Sequence, residues 1–130
     1  MERQTEQQVP GAGAAGLAEK KVIIGLRGDV ITIKQWRVPV RKELDQVSWI
    51  ATNCKARVIF DYEMGSPFAR DTFDLPEARP QLSGPVRPDV IGPKLFSYTV
   101  YVTLKDGTEI GLDPEVEVDG GGKYEPPVQG

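Results

Sequence analysis

Side chains that commonly perform catalysis or bind transition metals are scarce in this sequence. The 130 residues include no histidine, one cysteine (Cys54) and two methionines, one of which is Met1. Neutral imidazole is the commonest transition-metal ligand and the usual general base near neutral pH, so its absence excludes most metal-based and nucleophilic mechanisms. The sequence therefore predicts no catalytic residue, no cofactor and no metal centre.

Carboxylates are more abundant, and their density near the C-terminus raises the possibility of a calcium site. The acidic residues of this region are Asp106, Glu109, Asp113, Glu115, Glu117 and Asp119. Converging oxygens of this kind are the ligands that calcium prefers. Period-two spacing favours another interpretation, in which the last three lie on one solvated face of an edge strand. Copper at Cys54 and Met64 is the other metal-binding alternative.

Paired carboxylates also suggest an enzyme or a carbohydrate-binding domain. A glycosidase uses one carboxyl group as acid and a second as base or nucleophile. Asp61 with Glu63, and Asp71 with Asp74, are nominal pairs. Nothing in their surroundings distinguishes them from surface charges, so this hypothesis stays an alternative and no residue is assigned as catalytic.

The charge distribution bears on partners and location. Residues 20–57 carry nine basic and three acidic side chains, and residues 58–130 carry six basic and thirteen acidic ones. No alternation of basic and aromatic residues accompanies the positive segment, so nucleic-acid binding is not favoured. No apolar run approaches membrane-spanning length and no signal-peptide core is present, which predicts a cytoplasmic protein; export with a removed signal is the alternative.

Composition divides the chain into three parts and predicts one folded domain. Residues 1–19 are polar and then rich in glycine and alanine, which predicts a flexible leader. Residues 120–130 begin with three glycines and contain a proline pair, which predicts a flexible tail. Residues 20–119 form the expected domain, in which short β-branched and aromatic runs between turn residues are typical of strands.

The strand pattern predicts an all-β domain. The predicted strands are residues 21–26, 30–36, 37–41, 46–51, 56–62, 95–104, 109–112 and 115–118. The clearest is 95–104, whose strict alternation predicts a half-buried central strand. Asp106-Gly107 after it is a two-residue hairpin signal. Strands 46–51 and 56–62 are expected to form another pair with Asn53 at their connection. Trp49 is expected in the core, and Pro39 suits an edge strand.

The long segment at residues 76–93 contains five prolines, a density that neither a helix nor a central strand tolerates. Loops of this length are often functional, although a rigid connection between two sheets explains the composition equally well. We identify Gly84, Pro85, Arg87 and Pro88 as candidate binding residues in this loop. Trp36 is added as a candidate exposed binding anchor, because tryptophan is enriched among residues that dominate interfaces.

The order of these pieces resembles the cupredoxin family. Residues 38–49 followed by 50–60 resemble the segment that carries the first copper ligand. Residues 66–68 with 73–75, followed by the tyrosine-rich strand 96–102, resemble the later part, and residues 112–118 look like the closing strand. The resemblance implies a two-sheet Greek-key β-sandwich, cupredoxin-like or immunoglobulin-like.

The same resemblance implies that the copper ligands are missing. Ala56 stands at the position of the family's first ligand histidine, and Val100 stands at the position of its cysteine. Residues 106–110 replace the segment with the second histidine and the axial methionine. A blue-copper centre needs two imidazoles and a thiolate. The sequence thus predicts a non-catalytic module for protein binding or structural assembly, of unspecified oligomeric state.

Overall fold

The computed structural model describes residues 16–61 and 63–120, which contain ten β-strands and no helix. The strands are β1 (Ala18–Arg27), β2 (Val30–Lys34), β3 (Arg37–Val40), β4 (Asp45–Ala51), β5 (Lys55–Phe60), β6 (Thr72–Leu75), β7 (Gln81–Leu82), β8 (Lys94–Thr103), β9 (Glu109–Leu112) and β10 (Glu115–Val118). β1 begins at Ala18, inside the predicted leader. The rest of that leader as far as residue 15, and the predicted tail beyond Gly120, lie outside the described residues.

The strands form two sheets, which confirms the predicted all-β sandwich. The first sheet has the order β2-β1-β4-β7. The second has the order β3-β10-β8-β5-β6, and β9 also pairs with β8. Two neighbouring pairs are parallel, β1 with β4 and β3 with β10, whereas the other pairs of named strands are antiparallel. Within the described ranges no helix is long and apolar enough to cross a membrane.

An aromatic cluster centred on Trp49 fills the space between the sheets. Trp49 is fully buried on β4, and its ring centroid lies 4.8 Å from that of Phe73 and 5.8 Å from that of Tyr98. Phe60 and Phe68 complete the cluster, each with its ring centroid 6.2 Å from that of Trp49. Tilted and edge-to-face rings at these separations add to the stabilisation from buried apolar area. The prediction that Trp49 belongs to the core is confirmed.

The alternation predicted for residues 95–104 is confirmed by β8. Phe96, Tyr98, Val100 and Val102 are buried, while the residues between them face outward and are partly exposed. β8 lies inside the second sheet, with β5 on one side and β9 and β10 on the other. Side chains alternate between faces along a strand, so this apolar row brings β8 against the core.

The predicted pairing of residues 46–51 with 56–62 is wrong. β4 belongs to the first sheet and β5 to the second, so the connection at Asn53 crosses between sheets. Turn residues indicate that the chain reverses direction, but they do not indicate whether the next strand joins the same sheet. Asn53 nevertheless pairs with backbone, because its Oδ1 accepts from the amide of Leu26 at 2.9 Å and its Nδ2 donates to the carbonyl of Leu26 at 2.9 Å.

β9 and β10 lie end to end along the same side of β8, separated by Asp113 and Pro114. The expectation that the acidic strand lies at an edge is wrong, because β3 pairs with the far side of β10. The edge strand is β3 itself, which agrees with the position expected for Pro39. A parallel partner distant in sequence leaves no local signal, so period-two spacing did not reveal it.

The hairpin between β8 and β9 is present, although its loop is one residue longer than predicted. The amide of Leu104 donates to the carbonyl of Thr108 at 2.7 Å, which closes a loop of three residues. Gly107 has φ +90°, the left-handed conformation that ends such a loop. Asp106 stabilises it by accepting the amide of Thr108 at 3.0 Å.

Candidate functional site

We call residues 76–93 the strap, because they cross from the second sheet to the first and continue over one end of the sandwich. The amide of Ala78 donates to the carbonyl of Ala51 at 2.6 Å. β7, which the sequence did not predict, then pairs with β4 through Ser48 and Leu82. The first half of the strap therefore consists of a connecting segment and β7, which is an edge strand of the first sheet.

The next turn of the strap is held by buried polar groups. Ser83 accepts the amide of Val47 at 2.9 Å through Oγ, and its own amide donates to the carbonyl of Val47 at 2.9 Å. The amide of Gly84 donates to Oε1 of Gln46 at 3.2 Å. Gly84 has φ +80° and is buried, so this candidate binding residue has its amide directed at the first sheet.

Arg87 holds the middle of the strap against the segment at residues 66–68. Its Nε and Nη2 donate to the carbonyl of Ser66 at 3.1 and 2.8 Å, and its amide donates to the carbonyl of Pro67 at 2.7 Å. Its Nη1 also lies 2.8 Å from Oδ2 of Asp89. Val86 beside it is buried and forms a β-bridge with Phe68. The guanidinium of Arg87 thus makes several bonds within the chain.

Lys42 holds the last part of the strap. Its Nζ donates to the carbonyls of Pro88 at 2.9 Å and Val90 at 2.7 Å. The amide of Lys42 donates to Oδ1 of Asp119 at 2.8 Å, and the amide of Asp119 donates to the carbonyl of Val40 at 2.8 Å. The strap is consequently bonded to the first sheet, to Ser66 and Pro67, and to Lys42 between β3 and β4.

We call the end of the sandwich that the strap crosses the loop end; it comprises residues 41–44, 61, 63–71, 83–93 and 119–120. Pro85 and Pro88 are exposed there. Ile91 is 81% exposed and Leu44 is 53% exposed. Met64 in this region and Leu95 at the adjoining start of β8 are also exposed. Exposed apolar side chains that come together on one surface mark interaction sites more often than scattered ones.

Trp36 is exposed but lies elsewhere. It is 46% exposed and follows Gln35, whose φ of +77° turns the chain from β2 into β3. Trp36 lies between β2 and β3, which are edge strands of the first and second sheets. Gly84 lies near β7, which is the opposite edge strand of the first sheet. The structure therefore does not bring Trp36 together with Gly84, Pro85, Arg87 and Pro88.

Three acidic residues near the C-terminus interact with three different groups. Glu109 pairs with Arg57 and Glu115 with Arg37, while Asp113 accepts from Oγ1 of Thr99. In residues 16–61 and 63–120, no group of three or more histidine, cysteine, aspartate or glutamate side chains is placed to hold a metal ion.

The residues of the copper and hydrolase alternatives are also separated or engaged. Cys54 lies in the connection between β4 and β5, at the end of the sandwich opposite Met64. Asp61 Oδ1 accepts the amides of Glu63 at 2.7 Å and Met64 at 3.2 Å, which is the bonding of a turn. Asp71 accepts from Oγ1 of Thr72 at 3.3 Å.

One feature that the sequence did not indicate is an open groove of about 490 Å³ on the outer face of the second sheet. Arg57 crosses it, with its guanidinium carbon 5.3 Å from the ring centroid of Tyr101 and its Nη2 3.0 Å from both carboxylate oxygens of Glu109. Asp74 and Thr103 also line the groove. Alternation along each strand indicates which side chains point outward. Only the pairing of β5, β8 and β9 shows that Arg57, Tyr101 and Glu109 are neighbours.

Ala56 and Val100 are buried positions on neighbouring strands of the second sheet. Ala56 is 5% exposed and pairs with Val102, and Val100 is fully buried and pairs with Val58. Both side chains belong to the apolar core.

No family model, no curated protein and no solved structure matches this chain.

Proposed function

We propose that this chain is a non-catalytic β-sandwich module that binds a protein partner, or joins a structural assembly, through its loop end. The observation that carries the proposal is Ile91, which is 81% exposed within a strap that is bonded to the first sheet and to Lys42. An apolar side chain on an ordered loop loses little conformational freedom when a partner covers it.

The surroundings of Ile91 extend this surface. Lys42 bonds to the carbonyls of Pro88 and Val90, so the turn that carries Leu44 lies beside the segment that carries Ile91. Leu44 is 53% exposed. Pro88 has few conformations to lose on binding. An apolar centre with polar groups around it is the usual arrangement of a protein interface.

We further propose that the sandwich is of the cupredoxin type without a copper centre. The support is the apolar, buried character of Ala56 and Val100, the positions that the resemblance assigns to ligands. A single histidine at Ala56 or cysteine at Val100 would introduce a polar group into the apolar core. We therefore propose that these two positions have a structural role.

Point substitutions test the binding surface better than replacement of the strap, because the strap supplies Ser83, Val86 and Arg87 to the fold. The double variant Leu44→Ser with Ile91→Ser removes exposed apolar area and none of the bonds described above. Ile23→Thr, on the outer face of β1, is the matched control because Ile23 is also a large exposed apolar residue.

The measurement is quantitative capture of partners from the native cell, followed by direct binding of the recovered partner in purified form. We expect the double variant to lose at least about tenfold in affinity, since burying two apolar side chains contributes a few kcal/mol. The control should bind as the original protein does. Equal affinity of all three proteins would refute binding through the loop end.

The groove at Arg57 is the one observation that favours the carbohydrate-binding alternative. A partly exposed tyrosine ring beside charged and hydroxyl side chains offers stacking and hydrogen bonds to a sugar. Calorimetric titration with oligosaccharides tests it, with Tyr101→Ala as the variant expected to abolish binding. The absence of heat with every sugar, or heat unchanged by Tyr101→Ala, would reject this alternative.

A further inference from the structure

β2 is the least protected edge strand of the sandwich. The edge strand β3 contains Pro39, and β7 has only two residues. The four-residue strands β6 and β9 also have one open side, and they carry exposed Asp74 and Glu109, respectively. β2 has five residues without proline, and its single charge is Lys34 at the end. Proline, short length and charge are the devices that prevent edge strands from pairing with another chain, and β2 lacks most of them.

The backbone groups of β2 that face away from β1 can be assigned from the bonds of β1. The amide and carbonyl of Leu26 bond to Asn53, on the side away from β2. Leu26 pairs with Ile31. In an antiparallel pair, residues alternate between bonded and non-bonded positions, so the amide and carbonyl of Ile31 and of Ile33 point to the open edge.

The side chains of β2 suit a pairing at that edge. Ile31 and Ile33 pack against the core, while Val30 is 61% exposed and Thr32 and Lys34 are exposed on the outer face. The turn before β2 ends in exposed Asp29. In the part of the chain that the structure describes, no ion pair involves Asp29 or Lys34. The two ends of β2 therefore carry opposite charges.

We propose that β2 pairs antiparallel with β2 of a second copy of this chain, about a two-fold axis through Thr32. Ile31 of each copy then bonds to Ile33 of the other, and the two four-stranded sheets become one. The same axis places Lys34 of the second copy opposite Val30, one residue from Asp29, twice in each dimer. A strand with like charges at both ends would oppose this pairing, and a two-fold interface must be complementary to itself.

This proposal goes beyond the loop-end surface, because β2 is an edge of the first sheet and the two surfaces can be occupied independently. A single strand pair buries less area than a standard stable interface. The dimer should consequently be weak, with a dissociation constant of roughly 0.01 to 1 mM.

Sedimentation equilibrium from micromolar to millimolar protein tests the proposal. Asp29→Lys alone and Lys34→Asp alone should each lower the association constant at least about tenfold, because each contact occurs twice in the dimer. The double variant Asp29→Lys with Lys34→Asp should restore association. Both positions are exposed, so circular dichroism should report an unchanged fold for every variant.

A substitution at the axis supplies a second measurement. Thr32→Lys places like charges opposite each other and should leave the protein monomeric at all concentrations. Thr72→Lys is the matched control, because Thr72 is an exposed threonine on the edge strand β6, and it should not change association. A monomer at every concentration for the original protein, or a dimer that survives Thr32→Lys, would overturn the proposal.

Discussion

The indole Nε1 of Trp49 donates a hydrogen bond to the phenolic oxygen of Tyr98 across the core, at 3.2 Å. Both side chains are at least 99% buried, and they belong to different sheets. Burial of an indole N–H or a hydroxyl without a partner is unfavourable, so this bond lets two large aromatic residues fill the core.

Removal of the Tyr98 hydroxyl should destabilise the protein. Tyr98→Phe leaves the buried N–H of Trp49 without this partner, which should lower the free energy of unfolding by about 1 to 3 kcal/mol. Urea denaturation followed by tryptophan fluorescence measures the change. Tyr101→Phe on the outer face is the control and should change stability by less than about 0.5 kcal/mol. An unchanged free energy of unfolding in Tyr98→Phe would show that this hydrogen bond does not contribute to stability.

Alkaline pH should destabilise the fold through the same residue. Burial raises the pKa of Tyr98 well above its ordinary value, and the bond from Trp49 only partly opposes this. The folded chain keeps this phenol neutral while the unfolded chain ionises it, so the contribution is present below about pH 10 and is lost as pH rises further. Above pH 10, stability should fall more steeply in the original protein than in Tyr98→Phe, by up to about 1.4 kcal/mol per pH unit. Parallel curves would contradict this.

Acid pH should act through Asp45. Burial alone raises the pKa of Asp45, but hydrogen bonds from Arg41 and the charges of Lys20 and Arg41 outweigh it, so the pKa is lowered. Its contribution to stability is present above the ordinary carboxyl pKa and is lost as pH falls through the folded value, below about pH 4. Asp45→Asn should cost about 1 to 3 kcal/mol at pH 7 and flatten the acid decline. Glu77→Gln, an exposed carboxyl, is the control; identical acid curves for both variants would reject the role of Asp45.

The amide of Asn53 should stabilise the connection between the sheets. Asn53→Ala removes both bonds to Leu26 and should cost about 1 to 2 kcal/mol. Asn53→Asp keeps the acceptor for the amide of Leu26 but loses the donor to its carbonyl, so its stability should lie between the two proteins. Chemical denaturation gives the order, and equal stability of the alanine variant and the original would contradict the prediction.

Cys54 should react slowly with thiol reagents in the folded protein. The side chain is 5% exposed, and burial raises the pKa of its thiol, with a further rise from the charge of Glu77. The thiolate is the reactive form, so both effects reduce its rate. Labelling should be at least about a hundredfold slower than in denaturant, measured by absorbance with an aromatic disulfide. Similar rates in the two states would place the thiol at the surface.

Patterns within a short stretch of sequence predicted the features that are visible within one strand. Phe96 to Val102 alternate because one face of β8 meets the core, and that alternation is visible in the sequence. Thr72–Leu75 was missed, and Gln81–Leu82 was missed because it has only two residues and lies among prolines. The parallel pairs β1 with β4 and β3 with β10 could not be predicted, because no turn connects them.

The candidate residues illustrate the same limit. Gly84 and Arg87 were selected because they lie in a proline-rich loop, but a sequence does not show that Gln46 accepts the amide of Gly84. It also does not show that Ser66 accepts two bonds from Arg87. The groove at Arg57 was invisible for a related reason: Arg57, Tyr101 and Glu109 become neighbours only when β5, β8 and β9 have paired.

The parallel pairing of β3 with β10 also determines when the sandwich can be completed. Arg37 and Glu115, which form an ion pair between these strands, are 78 positions apart. Loop-closure entropy is lost before such a contact forms, so folds built on contacts between distant residues form slowly, on the scale of milliseconds to seconds. During synthesis, β3 has no strand to pair with until β10 has emerged. A nascent chain that ends before β10 would leave Val38 and Val40 uncovered, and such chains are the species most exposed to misassembly.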